Sequence, residues 1–121
     1  MSNLIVDKSF DFAVRTVKLC RFLQETHHEY VLSKQLLRSG TSIGANVNEA
    51  QAGLTKKDFI AKMSIASKEA RESKYWIDLL IKTDYLDMED HHVQSLISDI
   101  TSINKLLTSI IKTSQEKQNA Q

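Results

Sequence analysis

Apolar residues recur at steps of three and four along nearly the whole chain, and no proline interrupts them. Such steps fall on one side of a 3.6-residue turn, so the pattern dictates helices rather than strands. Val6, Phe10, Ala13, Val17 and Cys20 mark the core face of a first helix over 6–26. Leu36, Ile43, Val47, Ala50 and Leu54 mark a second over 31–53, with Gly53 as its stop. Thr55 reads as the N-cap of a third helix, with Asp58 beside the positive helix end. Phe59, Met63, Ala66, Ala70, Ile77, Leu80 and Ile81 carry that helix to residue 82. After the acidic turn TDYLDMEDHH, Val93, Leu96, Ile97, Ile100, Ile103, Leu107, Ile110 and Ile111 define a fourth over 90–113, and 114–121 is expected to fray. Four long helices with short connections pack most simply as an antiparallel up-down-up-down bundle. The chain therefore reads as one all-α domain over 1–121.

A chain of 121 residues is long enough for one core. Cys20 is the single cysteine and falls in the helical apolar pattern, so it reads as a buried thiol in a reducing compartment. The opening MSNLIVDKSFDF lacks the basic start and continuous apolar run of a secretory signal, and nothing approaches a membrane span; the expected location is the cytoplasm. The formal net charge of +1 argues against coating nucleic acid by charge alone. Its distribution is uneven: residues 1–83 hold 13 Lys or Arg against 9 Asp or Glu, whereas 84–121 hold 3 against 6.

The first helix carries more apolar surface than one seam uses. Phe12, Leu19 and Leu23 lie opposite the Phe10, Ala13 and Val17 stripe, with Phe22 between the two. A second heptad-spaced stripe marks a partner surface, so these four residues, with Trp76 as a further anchor, are the expected homo-oligomer interface. On the second helix, Gly40 and Gly44 form a G-x-x-x-G pair that costs about 1 kcal/mol each relative to alanine. That cost implies a close helix approach or a bend. Gln35, Ser39, Ser42, Asn46 and Glu49 form a polar stripe beside the core, and Glu69 and Glu72 lie on a matching band of the third helix. Ser42, Asn46, Glu49, Glu69 and Glu72 are the expected polar seam, fixing register between helices.

Basic residues line two sides: Lys8, Arg15 and Lys18 on the first helix, and Lys68, Arg71 and Lys74 on the third. These six are the candidate nucleic-acid contacts, with Tyr75 and Trp76 available for stacking. Two E-x-x-H motifs, Glu25 to His28 and Glu89 to His92, suggest a bundle metal centre, but their level rules it out. Both lie at one end, while Glu49 is about 28 Å down the second helix and Glu72 about 15 Å down the third. A weaker site using His27, His28, His91 and His92 is the remaining metal alternative. There is no phosphate-cradling glycine loop, C-x-x-C pair or Ser-His-Asp spacing, so no catalytic residue, cofactor, metal or small-molecule substrate is expected.

The run QLLRSGTSIGANVNEA, followed by KKDFIAKMSIASKEARESKYWIDLL, closely resembles the four-helix bundle family also called the 23S rRNA intervening sequence proteins. The specific pieces are Ser42 to Ala50, Lys68-Glu69-Ala70 with Glu72, and Tyr75-Trp76. The resemblance implies a small antiparallel bundle that assembles as a ring-like homopentamer, with no catalytic residues. A related branch, the accessory variability determinant of diversity-generating retroelements, is a basic pentamer that binds a reverse transcriptase and nucleic acid. By that resemblance the expected partners are further copies of the chain, then RNA, DNA or a reverse transcriptase. The expected function is a non-enzymatic homo-oligomeric scaffold or accessory protein, with a nucleic-acid-binding subunit as the alternative and a metal-binding bundle as the remote one.

Overall fold

The computed structural model describes residues 3–120, which contain four helices: α1 (Leu4–His27), α2 (Leu32–Gln51), α3 (Lys56–Lys82) and α4 (His91–Asn119). Each helix packs on its neighbour in sequence, and α4 returns against α1 to close a four-helix bundle. Residues 1, 2 and 121 of the expected domain, and with them the end of its expected frayed tail, lie outside the described residues. Residues 114–119, expected to fray, instead continue α4, and Ser114 is buried.

The helix ends follow from local chemistry. The Thr55 hydroxyl accepts the Asp58 N–H at 3.0 Å and starts α3, and Asp90 accepts the His92 N–H at 2.7 Å and starts α4. At the end of α1, His28 takes a left-handed conformation with φ of 53° and donates its N–H back to the Leu23 carbonyl. Ala52 caps α2, and no glycine has positive φ, so Gly53 follows the helix without serving as a left-handed stop.

Glu29 provides the N-terminal cap of α2. Its carboxylate accepts the N–H groups of Val31, Leu32 and Ser33 at 2.9, 2.7 and 2.8 Å. The Ser33 hydroxyl donates to the Glu29 carbonyl, while Cys20 and Gln24 of α1 donate to the Ser33 carbonyl and hydroxyl. Three orphan donors of the helix start are thereby satisfied by one buried anion at its positive end. Burial works to raise the Glu29 carboxyl, but the backbone N–H groups of Ser33, Leu32 and Val31 outweigh it and hold the pKa below its ordinary 4.5.

The core is built from the inward residues of all four helices, including Phe12, Leu23, Leu36, Ile43, Met63, Ile77, Leu80, Ile100, Ile103 and Leu107. For α2, α3 and α4 the buried face is the one the apolar spacing predicts, except that Leu54 lies in the turn beyond α2 at 94% exposure. On α1 the face differs. Its buried residues are Ile5, Ser9, Phe12, Thr16, Cys20 and Leu23, while Phe10 is 60% exposed and Val17 38%. Phe12 and Leu23, expected at an oligomer interface, are therefore core residues at 1% and 0% exposure.

The physical reason is the G-x-x-x-G pair. Gly40 faces Thr16 so closely that a Cβ there would stand 2.7 Å from Thr16 Cγ2 and 2.8 Å from its Oγ1. A Cβ on Gly44 would stand 3.2 Å from the Ser9 carbonyl oxygen. Only small side chains fit opposite such a backbone, so α1 turns Ser9 and Thr16 toward α2 and its larger residues to either side. Both hydroxyls are satisfied within their own helix, Ser9 by the Val6 carbonyl and Thr16 by that of Phe12.

Two outcomes are expected. Gly40→Ala adds a methyl group against the stiff, branched Thr16, and overpacking outweighs the gain in helix propensity. The variant is expected to lose about 1 kcal/mol in urea unfolding, and Thr16→Ala in the same chain is expected to recover most of it. Glu29 is more acidic folded than unfolded, so its contribution is complete above pH 4.5 and falls away as the pH drops through the lower folded value. Glu29→Gln is expected to cost about 1–2 kcal/mol at pH 7 and to flatten the loss of stability between pH 5 and 3, read by urea unfolding across that range.

Candidate functional site

With α1 turned to place Ser9 and Thr16 against α2, its outer face presents Phe10, Val14 and Val17 at steps of four and three. All three are exposed, and Val6 and Ala13 lie half-buried on the α2 side of the same stripe. This is the unpartnered apolar surface of α1, and it lies on the face the sequence pattern assigns to the core. Of the residues expected at the interface, Phe22 is exposed and packs edge-on against His27, and Leu19 is half-buried at the α1/α4 seam. Trp76 is half-buried beside Tyr75, with its indole N–H enclosed and without a hydrogen-bond partner among the described residues.

The expected polar seam holds on α3, at Glu69 and Glu72, but not on α2. The Ser42 hydroxyl donates to the Arg38 carbonyl and the Asn46 amide to the Ser42 carbonyl, so both bonds stay within α2. Glu49 is exposed and makes no hydrogen bond to α3 among the described residues. The crossing between α2 and α3 is carried by Ser39, whose hydroxyl accepts from Ser73 at 3.0 Å in the core. Above it, Arg38 bridges to Glu69 at 3.2 Å and to Glu72. With the donors of Ser42 and Asn46 spent on their own helix and Glu49 in solvent, these three make no hydrogen bond to α3 among the described residues.

The basic residues divide into engaged and free groups. Arg15 is clamped to α4: its guanidinium donates to Asp99 at 2.5 Å, to the Ser95 hydroxyl at 3.1 Å and to the His92 carbonyl at 3.0 Å. Lys74 pairs with Asp78 one turn on, and Lys8 lines a small hollow with Asp11 and Asp99. The expected row Lys8, Arg15 and Lys18 is therefore interrupted by carboxylates. Arg71, by contrast, lies on the side of α3 next to α4, and Lys68 is exposed on the same helix. There, a cavity of about 330 Å³ is lined by Ser64, Ser67, Arg71, Thr108, Lys112 and their neighbours, and Arg71 donates to Ser67 at 2.9 Å.

Two further hollows along α4 bring in Ser98, Thr101 and Lys105, and no carboxylate lines any of the three. Lys105 and Lys112 were not among the expected contacts, because the segment from residue 84 is acidic overall. Their signal is local: Ser98, Thr101, Lys105, Thr108 and Lys112 step by three and four along one side of α4. The acids of that segment lie in the turn before α4, on Asp99 at the Arg15 clamp, and on Glu116, one turn beyond Lys112 on the same side of the helix.

Catalytic chemistry finds little support in the arrangement. Burial first, and then the Glu29 charge, push the Cys20 thiol up to about 11, which keeps it protonated and a poor nucleophile. Among the described residues, no three His, Cys, Asp or Glu side chains come together in a way that could hold a metal ion. His27 packs edge-on between Phe22 and Tyr85, and His28 lies within hydrogen-bond distance of the Tyr30 hydroxyl. No helix among the described residues is long and apolar enough to cross a membrane.

Comparison with known proteins agrees with this architecture. A crystal structure of a protein of unknown function from the S23 ribosomal protein family of Bacteroides thetaiotaomicron matches with a TM-score of 0.85 and 54% sequence identity. The match covers 89% of this chain and 98% of that one. Among curated proteins, none matches. Neither the relative's description nor the family's indicates a catalytic activity. The family model described as 23S rRNA-intervening sequence protein matches residues 1–109, over the same bundle whose α1/α2 contact is set by Gly40 and Gly44, and the chain therefore belongs to that family.

Proposed function

We propose that this protein is a non-enzymatic, cytoplasmic scaffold or accessory protein that works as a homo-oligomer. The observation that carries the reading is the outer stripe of α1. Phe10 is 60% exposed, and Val14 and Val17 keep 39% and 38% of their surface in solvent beside it, so a partner that covers the stripe removes apolar area from water. A second copy of the chain is the partner that such a self-contained bundle meets most often, and a ring of five is what the family resemblance implies. Ring closure needs a heterologous contact, in which the stripe meets a different face of the next copy. Ile65, Tyr75 and the half-buried Trp76 on the outer side of α3 supply apolar surface for that second face.

A second reading is supported by the α3/α4 face. Arg71, Lys105 and Lys112 stand among serine and threonine hydroxyls without a lining carboxylate, a combination suited to phosphate oxygens. An oligomer would repeat this patch around its rim, so single-stranded RNA or DNA could be followed from copy to copy despite a net charge of only +1 per chain.

Light scattering on the purified protein is expected to give a mass several times that of one chain. Phe10→Asp combined with Val14→Asp is expected to return it to the monomer mass with helical circular dichroism retained. An unchanged mass would show that the stripe is not the interface. For the second reading, binding of a single-stranded RNA is expected to weaken about fifty-fold between 50 and 200 mM salt if some four phosphates are neutralised per site. Arg71→Glu with Lys105→Glu and Lys112→Glu should abolish the binding, and absence of binding at 50 mM would reject that reading.

A further inference from the structure

The helix ends meet at two poles of the bundle, and the poles differ in charge. At one, the α1/α2 turn lies beside the α3/α4 turn, with the His27 and Tyr85 rings edge-on at 6.1 Å. Residues 25–34 and 82–92 supply six Asp or Glu there against two Lys. At the other, the start of α3 lies beside the last turns of α4, and residues 56–62 and 112–119 supply five Lys against Asp58 and Glu116. The start of α1 and the end of α2, joined there by Asn3 and Gln51, add Asp7, Lys8 and Glu49, so this pole holds six Lys against four acids. Among the described residues, none of these side chains enters an ion pair. Each pole also exposes apolar side chains: Val31 at 72% and Met88 at 47% on the acidic one, and Leu54 at 94% beside Lys56 and Lys57 on the basic one.

We propose that copies of this chain associate head to tail, the acidic pole of one bundle against the basic pole of the next, with Leu54 of one copy covered by Val31 and Met88 of the other. A second copy is the occupant because the complement of each pole, in sign of charge and in exposed apolar side chain, is carried by the same chain. Two acidic poles would set like charges against each other, so only unlike poles join. The contact is therefore heterologous. The poles stand at opposite ends of helices about 40 Å long, as the 27 residues of α3 require, so each contact leaves two far poles free and addition repeats along the axis. Its charges are exposed and its apolar anchors few, which makes it a weak contact that salt screens.

The axial contact is independent of the α1 stripe, because Phe10, Val14 and Val17 lie along the side of the bundle and the poles lie at its ends. The stripe sets the mass of the unit present in dilute solution, and the axial contact sets how that mass grows with concentration. An apolar stripe also gains nothing from low salt, so either contact can fail with the other standing.

The test is light scattering on the full chain at about pH 8, where histidine is ordinarily neutral. The average mass is expected to at least double between about 10 and about 500 µM protein in about 20 mM salt, and to keep its dilute value in about 300 mM salt. Glu25→Lys with Glu89→Lys, and separately Lys56→Glu with Lys57→Glu, are each expected to abolish the growth. Glu25 is in the last turn of α1 and Lys56 and Lys57 are in the first turn of α3, where the helix ends favour the new sign, and thermal melting checks that both variants keep the fold. An equimolar mixture of the two variants is expected to double the dilute mass and stop, because only the unaltered acidic pole of one and the unaltered basic pole of the other still match. Leu54→Ser is expected to need at least about three-fold more protein for the same growth. Constant mass of the unaltered chain at low salt overturns the proposal, as does growth that persists at high salt or in either charge-reversed variant. An inert mixture overturns the pairing of unlike poles, and undiminished growth of Leu54→Ser overturns the apolar anchor.

Discussion

The contact on which the rest of the molecule depends is the approach of α2 to α1 at Gly40 and Gly44. Two positions without side chains let one helix backbone come close to another, and this closeness admits only Ser9 and Thr16 on the opposing surface. The rotation of α1 about its own axis follows. Once Ser9 and Thr16 are turned inward, Phe12 and Leu23 enter the core, Arg15 reaches α4, and Phe10, Val14 and Val17 are left outside. Glycine in a helix interior is intrinsically unfavourable, so the contact it permits compensates for that cost through dense packing over two turns.

The same contact explains what the sequence does and does not disclose. The number of helices, their order and the buried faces of α2, α3 and α4 are legible because large aliphatic residues repeat on one side of each. The rotation of α1 is not legible from apolar spacing, since two of its six buried positions are hydroxyl residues and its best-looking stripe is solvent-facing. A clue was nonetheless present: a G-x-x-x-G pair on α2 needs small residues opposite, and Ser9 and Thr16 are seven apart on one side of α1. Reading the glycines before the aliphatics recovers the observed face.

For polar groups the limit is of another kind. Arg15 and Asp99 are separated by 84 residues, so no local pattern links them, and the Ser39–Ser73 bond depends on a rotation of α2 that spacing does not fix to better than one residue. Ser42 and Asn46 bond within their own helix, and Glu49 faces solvent. Residues of this kind on an outer face are available to a neighbouring molecule in a way that the buried Ser39 is not. Glu29 is the opposite case, an acid that reads as a turn residue in the sequence and proves to anchor a whole helix start.

The order in which the helices pair also has a consequence for folding. Three of the four seams join helices adjacent in sequence, so each can form as a hairpin with little loop entropy to overcome. The fourth joins the first helix to the last and has the fewest groups to hold it, with Arg15 reaching three acceptors on α4 as its main polar tie. Closure of this seam is therefore the step that spans nearly the whole chain, and its opening is the least costly departure from the folded state. Slow exchange of amides should accordingly concentrate in the α2/α3 hairpin, with α4 breathing against α1 around a single cationic pivot.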